Sequence, residues 1–299
     1  MVATLQLVPQ IKQPTRPQPA FPGVEPLDES VFLGMGRSLT FPFPQWRDSD
    51  PYRTVFFDEG HGHPIVLVHG LGADRGEWDV VGRRLSERHR VIAVDLPGHG
   101  ASAALDSIRV EWVADALDRT LGDARVKRAV IVGHSYGGLV ALELAARSRR
   151  ALGVAVVDMG AYNAADSERV ANLDKLLTER YGPFIETVYQ QMSGDSTGRA
   201  YLLDRSSRVP QAVLTAYFRD AWRADLRPSV ARLKVPLLVV ATETLWPEGQ
   251  PWDSVRVRTG YGAARRSTGV RVQDSAHFVP LDQPDTLAAA IEEFSRTLR

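Results

Sequence analysis

A serine with a glycine two residues before it and another two residues after it lies where a strand pattern changes to a helix pattern, in residues 133–137, which read Gly-His-Ser-Tyr-Gly. Residues 129–132 are all apolar and predict a buried strand, and residues 138–146 predict a helix. The glycines allow the backbone to turn sharply, so that the side chain of Ser135 is held exposed at the end of the strand. A serine presented in this way is suited to attack a carbonyl carbon. The setting predicts Ser135 as a nucleophile.

A serine hydroxyl is unreactive at neutral pH unless a base accepts its proton. His277 lies in residues 274–280, which read Asp-Ser-Ala-His-Phe-Val-Pro and form a predicted loop before the last helix. All the other histidines precede Ser135, so His277 alone fits the chain order of nucleophile, acid and histidine. His99, in a turn rich in glycine and proline, is interpreted as a turn residue beside the pocket. The sequence therefore predicts His277 as the base.

Two backbone N–H groups are predicted to stabilise the oxyanion that forms when a serine attacks a carbonyl. The N–H of Tyr136 lies at the start of the helix that follows the nucleophile, where it is free to donate. Residues 69–73, which read His-Gly-Leu-Gly-Ala, follow the first buried strand and place the N–H of Leu71 toward Ser135. The alternative for this loop is a plain turn that ends a strand.

Short apolar runs alternate with helical patterns in the rest of the chain, which predicts a doubly wound, mostly parallel sheet of the α/β class. The predicted buried strands are residues 64–68, 91–94, 129–132, 154–157 and 237–240, with a weaker strand at 270–272. Between the fourth and fifth of these strands the pattern becomes helical, with helices predicted around residues 175–192 and 210–222. Such a helical insertion is expected to act as a cap over the carboxyl edge of the sheet, where ligands bind in α/β folds.

These patterns divide the chain into three predicted parts. Residues 1–52 form a proline-rich N-terminal arm without a sustained hydrophobic period, which predicts an extended segment. A proline-rich tail that binds a partner is the alternative for this arm. Residues 53–160 and 225–299 form the α/β core, and residues 161–224 form the helical cap.

Composition excludes several classes of function. The chain has 36 basic and 36 acidic residues among 299, and no basic block stands out, which argues against nucleic acid as a partner. It has no cysteine, so disulfides, zinc sites with thiolate ligands and cysteine nucleophiles are excluded. No apolar run reaches the roughly 18 residues that a membrane span requires. The start of the sequence lacks the pattern of a secretory signal, so a cytoplasmic location is the expectation, with export left open.

The chain from about residue 64 onward resembles the α/β-hydrolase superfamily. The resemblance rests on His-Gly at residues 69–70 with Trp78 downstream, Asp-Leu-Pro-Gly-His-Gly at 95–100, Gly-His-Ser-Tyr-Gly-Gly at 133–138 and His-Phe-Val-Pro at 277–280. It implies the α/β-hydrolase fold with a helical cap insertion. It also implies a serine hydrolase that requires no cofactor and no metal.

The third member of the triad departs from the pattern of most of the family. Most members carry an aspartate in the loop that here contains Glu243 and Leu245, and the expected position is occupied by Leu245. Two acids are available as replacements: Glu243 in the same loop, and Asp158 at the end of the preceding strand. An acid at that earlier strand end resembles a subset of esterases and lipases. We therefore favour Asp158 as the residue that orients His277, with Glu243 as the alternative.

These residues predict a serine hydrolase that cleaves a carboxylic ester of small or medium size through an acyl-enzyme, with a small-molecule acyl substrate as its partner. Hydrolysis of a lactone, a thioester or a carbon–carbon bond would use the same triad and stays open. The resemblance disfavours dehalogenases and epoxide hydrolases, because these relatives have aspartate at the position of Ser135. A ligand-binding module without turnover is the alternative outside the enzymes.

Overall fold

The computed structural model describes residue 54 and residues 56–163 and 167–298. The predicted arm, residues 1–52, lies outside the described residues. Within them, seven strands form one sheet in the order β1-β3-β2-β4-β5-β6-β7. The strands are β1 (Phe56–Glu59), β2 (His63–Val68), β3 (His89–Val94), β4 (Ala129–His134), β5 (Ala151–Val157), β6 (Leu237–Ala241) and β7 (Ser267–Arg271). Strand β1 pairs with β3 in antiparallel orientation, and all the other neighbouring strands are parallel.

Helices connect these strands and cover the sheet. A 3₁₀ helix (Arg75–Trp78) precedes the first α-helix. The α-helices are α1 (Asp79–Ser86), α2 (Val110–Asp123), α3 (Tyr136–Arg147), α4 (Ser167–Glu179), α5 (Tyr181–Gln190), α6 (Ser196–Arg208), α7 (Gln211–Arg223), α8 (Arg227–Arg232), α9 (Trp252–Arg258), α10 (Val279–Asp282) and α11 (Pro284–Arg296). Helices α4 to α8 lie between β5 and β6, so the chain has a helical insertion at the predicted place.

Both faces of the central strands are buried, which explains their continuous apolar runs. In β2, Val66 belongs to the core on one face together with Leu139 of α3. The next residue, Leu67, belongs to the core on the other face together with Ile291 of α11. Because successive side chains of a strand point to opposite faces, a strand covered on both sides is apolar at every position. The predicted doubly wound, mostly parallel sheet is confirmed.

The edges of the sheet differ from the sequence prediction. Strand β1 was not predicted, and the last strand lies at Ser267–Arg271 rather than at residues 270–272. Each of these two strands has a strand neighbour on one side only, and most of their residues are partly exposed. An edge strand of this kind needs no continuous apolar run. The pattern used to find the central strands therefore misses or misplaces it.

The helices of the insertion also differ from the prediction. Residues 175–192, predicted as one helix, belong to two helices, because α4 ends at Glu179 and α5 begins at Tyr181. Pro183 lies in the first turn of α5, where a proline is tolerated, whereas in the middle of a longer helix it would remove a hydrogen bond. Helix α6 (Ser196–Arg208) was not predicted, and the predicted helix at residues 210–222 corresponds to α7.

Candidate active site

Ser135 lies at the sharp turn between β4 and α3. Its backbone has φ 52° and ψ −123°, in the region that residues other than glycine seldom adopt. A Cβ atom on Gly133 would lie 2.0 Å from the carbonyl oxygen of Gly137, and one on Gly137 would lie 2.3 Å from that of Val68. The turn therefore requires glycine at both positions. The Ser135 N–H donates to the carbonyl oxygen of Val157 (2.9 Å), which fixes the turn to the adjacent strand.

The side chain of His277 contacts both Ser135 and Asp158. The distance from His277 Nε2 to Ser135 Oγ is 2.9 Å, and that from His277 Nδ1 to Asp158 Oδ2 is 2.8 Å. Because a carboxylate only accepts hydrogen bonds, Nδ1 carries the proton and Nε2 presents its lone pair to the serine hydroxyl. The structure thus brings Ser135, His277 and Asp158 together in the geometry of a nucleophile, a base and an orienting acid.

The environment of Asp158 keeps its carboxyl group ionised. The backbone N–H and the hydroxyl of Thr242 both donate to Asp158 Oδ1, each at 2.8 Å. Burial opposes ionisation, but the hydrogen bonds and charge of His277 and the donors of Thr242 outweigh it, so the pKa of Asp158 lies below its ordinary value. The carboxylate is therefore available to stabilise the imidazolium that forms when His277 takes a proton.

Glu243, the alternative acid, points elsewhere. Its Oε1 lies 2.7 Å from Nη2 of Arg271, and its side chain is 52% exposed. The side chain of Asp158, by contrast, is only 6% exposed. The geometry therefore joins Asp158 to His277 and joins Glu243 to a partly exposed arginine of the edge strand β7.

The N–H groups of Leu71 and Tyr136 are the two predicted oxyanion donors. In the loop after β2, Gly70 N–H donates to Glu77 Oε2 (3.0 Å) and Gly72 N–H donates to His99 Nε2 (3.2 Å). Between them lies the N–H of Leu71. The N–H of Tyr136 belongs to the first turn of α3, whose N–H groups have no partner within the helix. In the described part of the chain neither group has a protein acceptor, so both are free to donate to a substrate oxygen.

His99 belongs to the support of this loop. Its side chain is buried, and burial together with the neighbouring His69 lowers the pKa of His99 to about 3. The ring is thus neutral and accepts the N–H of Gly72 through Nε2. In the described chain, its contacts hold the loop and do not reach Ser135, in line with its interpretation as a turn residue.

The helical insertion contacts the loops that carry the site. The hydroxyl of Tyr189 donates to the carbonyl oxygen of Leu71 (3.0 Å), and that of Tyr217 donates to the carbonyl oxygen of Pro97 (2.9 Å). Near His277, the backbone N–H of Phe278 donates to the carbonyl oxygen of Met192 (2.8 Å). These contacts place the insertion against the carboxyl edge of the sheet.

Two buried polar residues beside the triad were missed by the sequence interpretation. His134 Nε2 lies 2.9 Å from the carbonyl oxygen of His277, and His134 Nδ1 lies 2.9 Å from Glu77 Oε1. One signal in the sequence pointed to Glu77: it directly precedes Trp78, which the structure buries. A charged side chain beside a core residue is seldom buried without a partner.

The described residues carry neither a metal-binding cluster nor a membrane-spanning helix. Over residues 56–163 and 167–298, no three acidic or histidine side chains are grouped closely enough to hold a metal ion. No helix in the same part of the chain is long and apolar enough to cross a membrane.

Comparison with known sequences identifies the family. A sequence model of the alpha/beta hydrolase family matches residues 65–290, which include all the residues of the site. The chain belongs to the α/β-hydrolase family. This hydrolase is 25% identical over 254 residues to the (E)-2-((N-methylformamido)methylene)succinate hydrolase of Acinetobacter baylyi, a match that covers 81% of this chain and 94% of that protein. It is 32% identical over 143 residues to the 2-succinyl-6-hydroxy-2,4-cyclohexadiene-1-carboxylate synthase of Escherichia coli, covering 44% and 56% of the two chains.

Solved structures show the same fold. An esterase from Thermogutta terrifontis superposes on this hydrolase with a TM-score of 0.66 and 26% identity, over 82% of this chain and 93% of the other. An enol-lactonase from Burkholderia xenovorans superposes with a TM-score of 0.71 and 23% identity, over 81% and 97%. The hydrolase spans only 32% of the length of three uncharacterised mycobacterial relatives, to each of which it is 37% identical over 113 residues.

Proposed function

We propose that this hydrolase cleaves carboxylic esters through an acyl-enzyme on Ser135. The observation that carries the proposal is the pair of hydrogen bonds of His277, at 2.9 Å to Ser135 Oγ and 2.8 Å to Asp158 Oδ2. In this arrangement one imidazole nitrogen accepts the serine proton while the other is held by a carboxylate. The similarity to an esterase structure at 26% identity supports the same reaction class.

The first half of the reaction forms the acyl-enzyme. His277 Nε2 takes the proton of Ser135 as Oγ bonds to the acyl carbon, and the carbonyl electrons move onto oxygen. The N–H groups of Leu71 and Tyr136 donate to this oxyanion. When the carbonyl re-forms, the bond to the alcohol oxygen breaks, and His277 returns its proton to the departing alcohol.

The second half releases the acid. A water molecule loses a proton to His277 as its oxygen attacks the acyl carbon, and the same two N–H groups stabilise the second oxyanion. Collapse then breaks the bond to Ser135 Oγ, which takes back the proton from His277, and the carboxylic acid leaves. Every proton is transferred through His277, and the steps use groups of the chain and one water molecule.

We also propose that the insertion, residues 161–224, acts as a cap that encloses the substrate. Its tyrosines bind two loops at the carboxyl edge: Leu71 follows β2, the neighbour of the nucleophile strand β4, and Pro97 follows β3, the next strand beyond it. Phe184 of α5 and Phe218 of α7 pack edge to face, with ring centroids 5.8 Å apart, and join two helices of the insertion by an apolar contact. An enclosed, largely apolar pocket favours an acyl group of small or medium size.

A substrate panel tests the reaction class. Wild type and Ser135→Ala are assayed on p-nitrophenyl esters from acetate to laurate, on aliphatic lactones and on acyl thioesters. We expect wild type to turn over the esters, with a preference for short and medium acyl chains, and Ser135→Ala to turn over none of them. Turnover of lactones or thioesters without turnover of esters would replace the substrate class, and turnover of esters by Ser135→Ala at the wild-type rate would overturn the mechanism.

A further inference from the structure

Two polar side chains without a role in these steps are buried directly beside the triad. Glu77 is 1% exposed and His134 is fully buried. Glu77 lies in the 3₁₀ helix that follows the loop of Leu71, and His134 is the last residue of β4. Placing two ionisable groups in a core is costly unless each has a partner, so their contacts indicate what they do there.

Glu77 connects the oxyanion loop to His134. Its Oε2 accepts the N–H of Gly70, the residue before the proposed donor Leu71, at 3.0 Å. Its Oε1 lies 2.9 Å from His134 Nδ1, an ionic contact whose angles fall outside those of a hydrogen bond. The loop also packs directly on the imidazole, because a Cβ atom on Gly70 would lie 2.7 Å from His134 Nδ1. The carboxylate thus holds the loop by one oxygen and faces the imidazole with the other.

His134 connects this pair to the loop of the base. Its Nε2 donates to the carbonyl oxygen of His277 at 2.9 Å. The two histidine rings have centroids 4.9 Å apart, and the ring of Phe278 packs edge to face on His134 at 4.5 Å. The main chain of His277 is therefore fixed from one side by His134, while its ring is fixed from the other by Asp158.

Glu77 and His134 carry opposite charges. A carbonyl oxygen only accepts, so Nε2 of His134 must carry a hydrogen, and the carboxylate at Nδ1 favours a second one. Burial disfavours a charged ring, but the charge of Glu77 outweighs burial and raises the pKa of His134 above its ordinary value. A carboxylate and an imidazolium in contact compensate each other, whereas removing one of them leaves a buried charge alone.

Building on the proposed function, we propose that Glu77 and His134 are positioning residues that hold the Leu71 N–H and the His277 main chain in fixed places relative to Ser135. Neither residue contacts the reacting atoms. The oxyanion donor and the base lie on separate loops, after β2 and after β7, and the Glu77–His134 pair joins these loops through the core. A displacement of about 1 Å at either loop is enough to lower the rate of the chemical step by about 100-fold.

The decisive variant removes the pair without leaving a buried charge. In Glu77→Met with His134→Phe, two apolar side chains of similar size replace the ion pair, so no buried charge is left alone. The Gly70 N–H and the His277 carbonyl lose their side-chain partners, which lowers the melting temperature. The single variant Glu77→Gln is the conservative counterpart, because its amide oxygen still accepts the Gly70 N–H. A matched control comes from a second His–Glu pair, in which buried His89 Nε2 lies 2.7 Å from Glu292 Oε2 at the amino end of β3, far from the carboxyl edge. Glu292→Met and His89→Phe remove that pair.

The readouts separate positioning from stability. Phosphonylation of Ser135 by an alkyl fluorophosphonate gives a rate constant for each folded site and requires no knowledge of the natural ester. Turnover of p-nitrophenyl butyrate, divided by the number of labelled sites, gives kcat and KM. Melting temperatures report stability independently.

We expect the Glu77→Met, His134→Phe double variant to fold, to melt below wild type, and to lose on the order of 100-fold in phosphonylation and in kcat per labelled site, with KM nearly unchanged. Glu77→Gln should retain most of the rate, and the control double variant should retain all of it. A folded double variant that reacts at the wild-type rate per labelled site would overturn the positioning role. Should the double variant fail to fold, a Glu77→Gln rate as low as on the order of 1% of wild type, with the Gly70 contact preserved, would overturn it as well. Failure of wild type to label would instead overturn the proposed function on which this inference rests.

Discussion

His277 lies between a hydroxyl that it must deprotonate and a carboxylate that must stay ionised. Its ring can serve both partners only in the tautomer with the proton on Nδ1, because Nε2 must be free to accept from Ser135. The contact to Asp158 Oδ2 selects this tautomer. The two hydrogen bonds therefore have different functions, and a substitution at Asp158 tests the second without removing the first.

We predict that Asp158→Asn lowers kcat by up to ~10⁴, because an amide NH₂ at this position donates to Nδ1 and favours the wrong tautomer. Glu243→Gln should cost much less, since Glu243 contacts Arg271. Both variants and wild type are assayed for kcat on the same p-nitrophenyl ester. A severe loss in Glu243→Gln together with near-normal turnover in Asp158→Asn would reverse the assignment of the acid.

Among the residues of the site, the sequence reveals those whose role requires particular neighbours or a particular position along the chain. Ser135 can be recognised in the sequence because a glycine lies two residues before it and another two residues after it. His277 can be recognised because it is the last histidine of the chain. The roles of Glu77 and His134 cannot be recognised in the sequence. Each is explained by its contact with the other, and the fold, not their spacing in the sequence, brings the two together.

Among the elements, the insertion contacts the loops of the site through two tyrosines. Tyr189 of α5 is buried, and its hydroxyl donates to the carbonyl oxygen of Leu71, the residue whose N–H is proposed to bind the oxyanion. Tyr217 of α7 makes a bond of the same kind to Pro97, in a loop without an oxyanion donor. The two tyrosines form a matched pair that differs in the loop that each one holds.

We predict that Tyr189→Phe and Tyr217→Phe each cost about 1–3 kcal/mol in the free energy of unfolding, because each leaves a buried carbonyl without its donor. Only Tyr189→Phe should also lower kcat, since the peptide groups of Leu71 lose one of their fixed contacts. Urea unfolding gives the first quantity and ester turnover the second. Equal effects of the two substitutions on kcat would show that the insertion does not act through Leu71.

The elements were predictable to the extent that burial leaves a periodic pattern. The central strands are covered on both faces and read as continuous apolar runs, so β2 to β6 were found. Strands β1 and β7 lie at the edges, and there the apolar pattern is too weak to find β1 or to place β7 correctly. In the insertion, the boundary between α4 and α5 follows from Pro183, a signal that the helical period alone does not reveal.

For the molecule as a whole, the buried pair predicts a dependence of stability on pH. The pKa of His134 is raised in the folded state, so its contribution to stability is fully present below the ordinary value of about 6.5 and is lost as the pH rises through the folded value. Glu77→Gln removes the charge that contributes most to raising this pKa. We predict that wild type exceeds Glu77→Gln in unfolding free energy by more at pH 6 than at pH 9, as measured by urea unfolding. A difference that is constant or grows with pH would contradict the ion pair.

A second prediction for the whole molecule concerns the arm, which lies outside the described residues. Its proline content and lack of hydrophobic period predict that removal of residues 1–26 changes the melting temperature little. Thermal unfolding of the full chain and of the truncated chain measures this directly. A large fall in melting temperature after truncation would show that the arm is docked on the core.

The most direct test of the mechanism is whether Ser135 carries the acyl group. Wild type and Ser135→Ala are mixed with p-nitrophenyl butyrate, quenched in acid during turnover and measured by intact mass and peptide mapping. We predict a butyryl group on Ser135 in wild type and none in the variant, with a loss on the order of 10⁶ in kcat and an unchanged melting temperature. An acyl group on another residue, or a variant that retains a substantial fraction of the wild-type activity, would contradict the account.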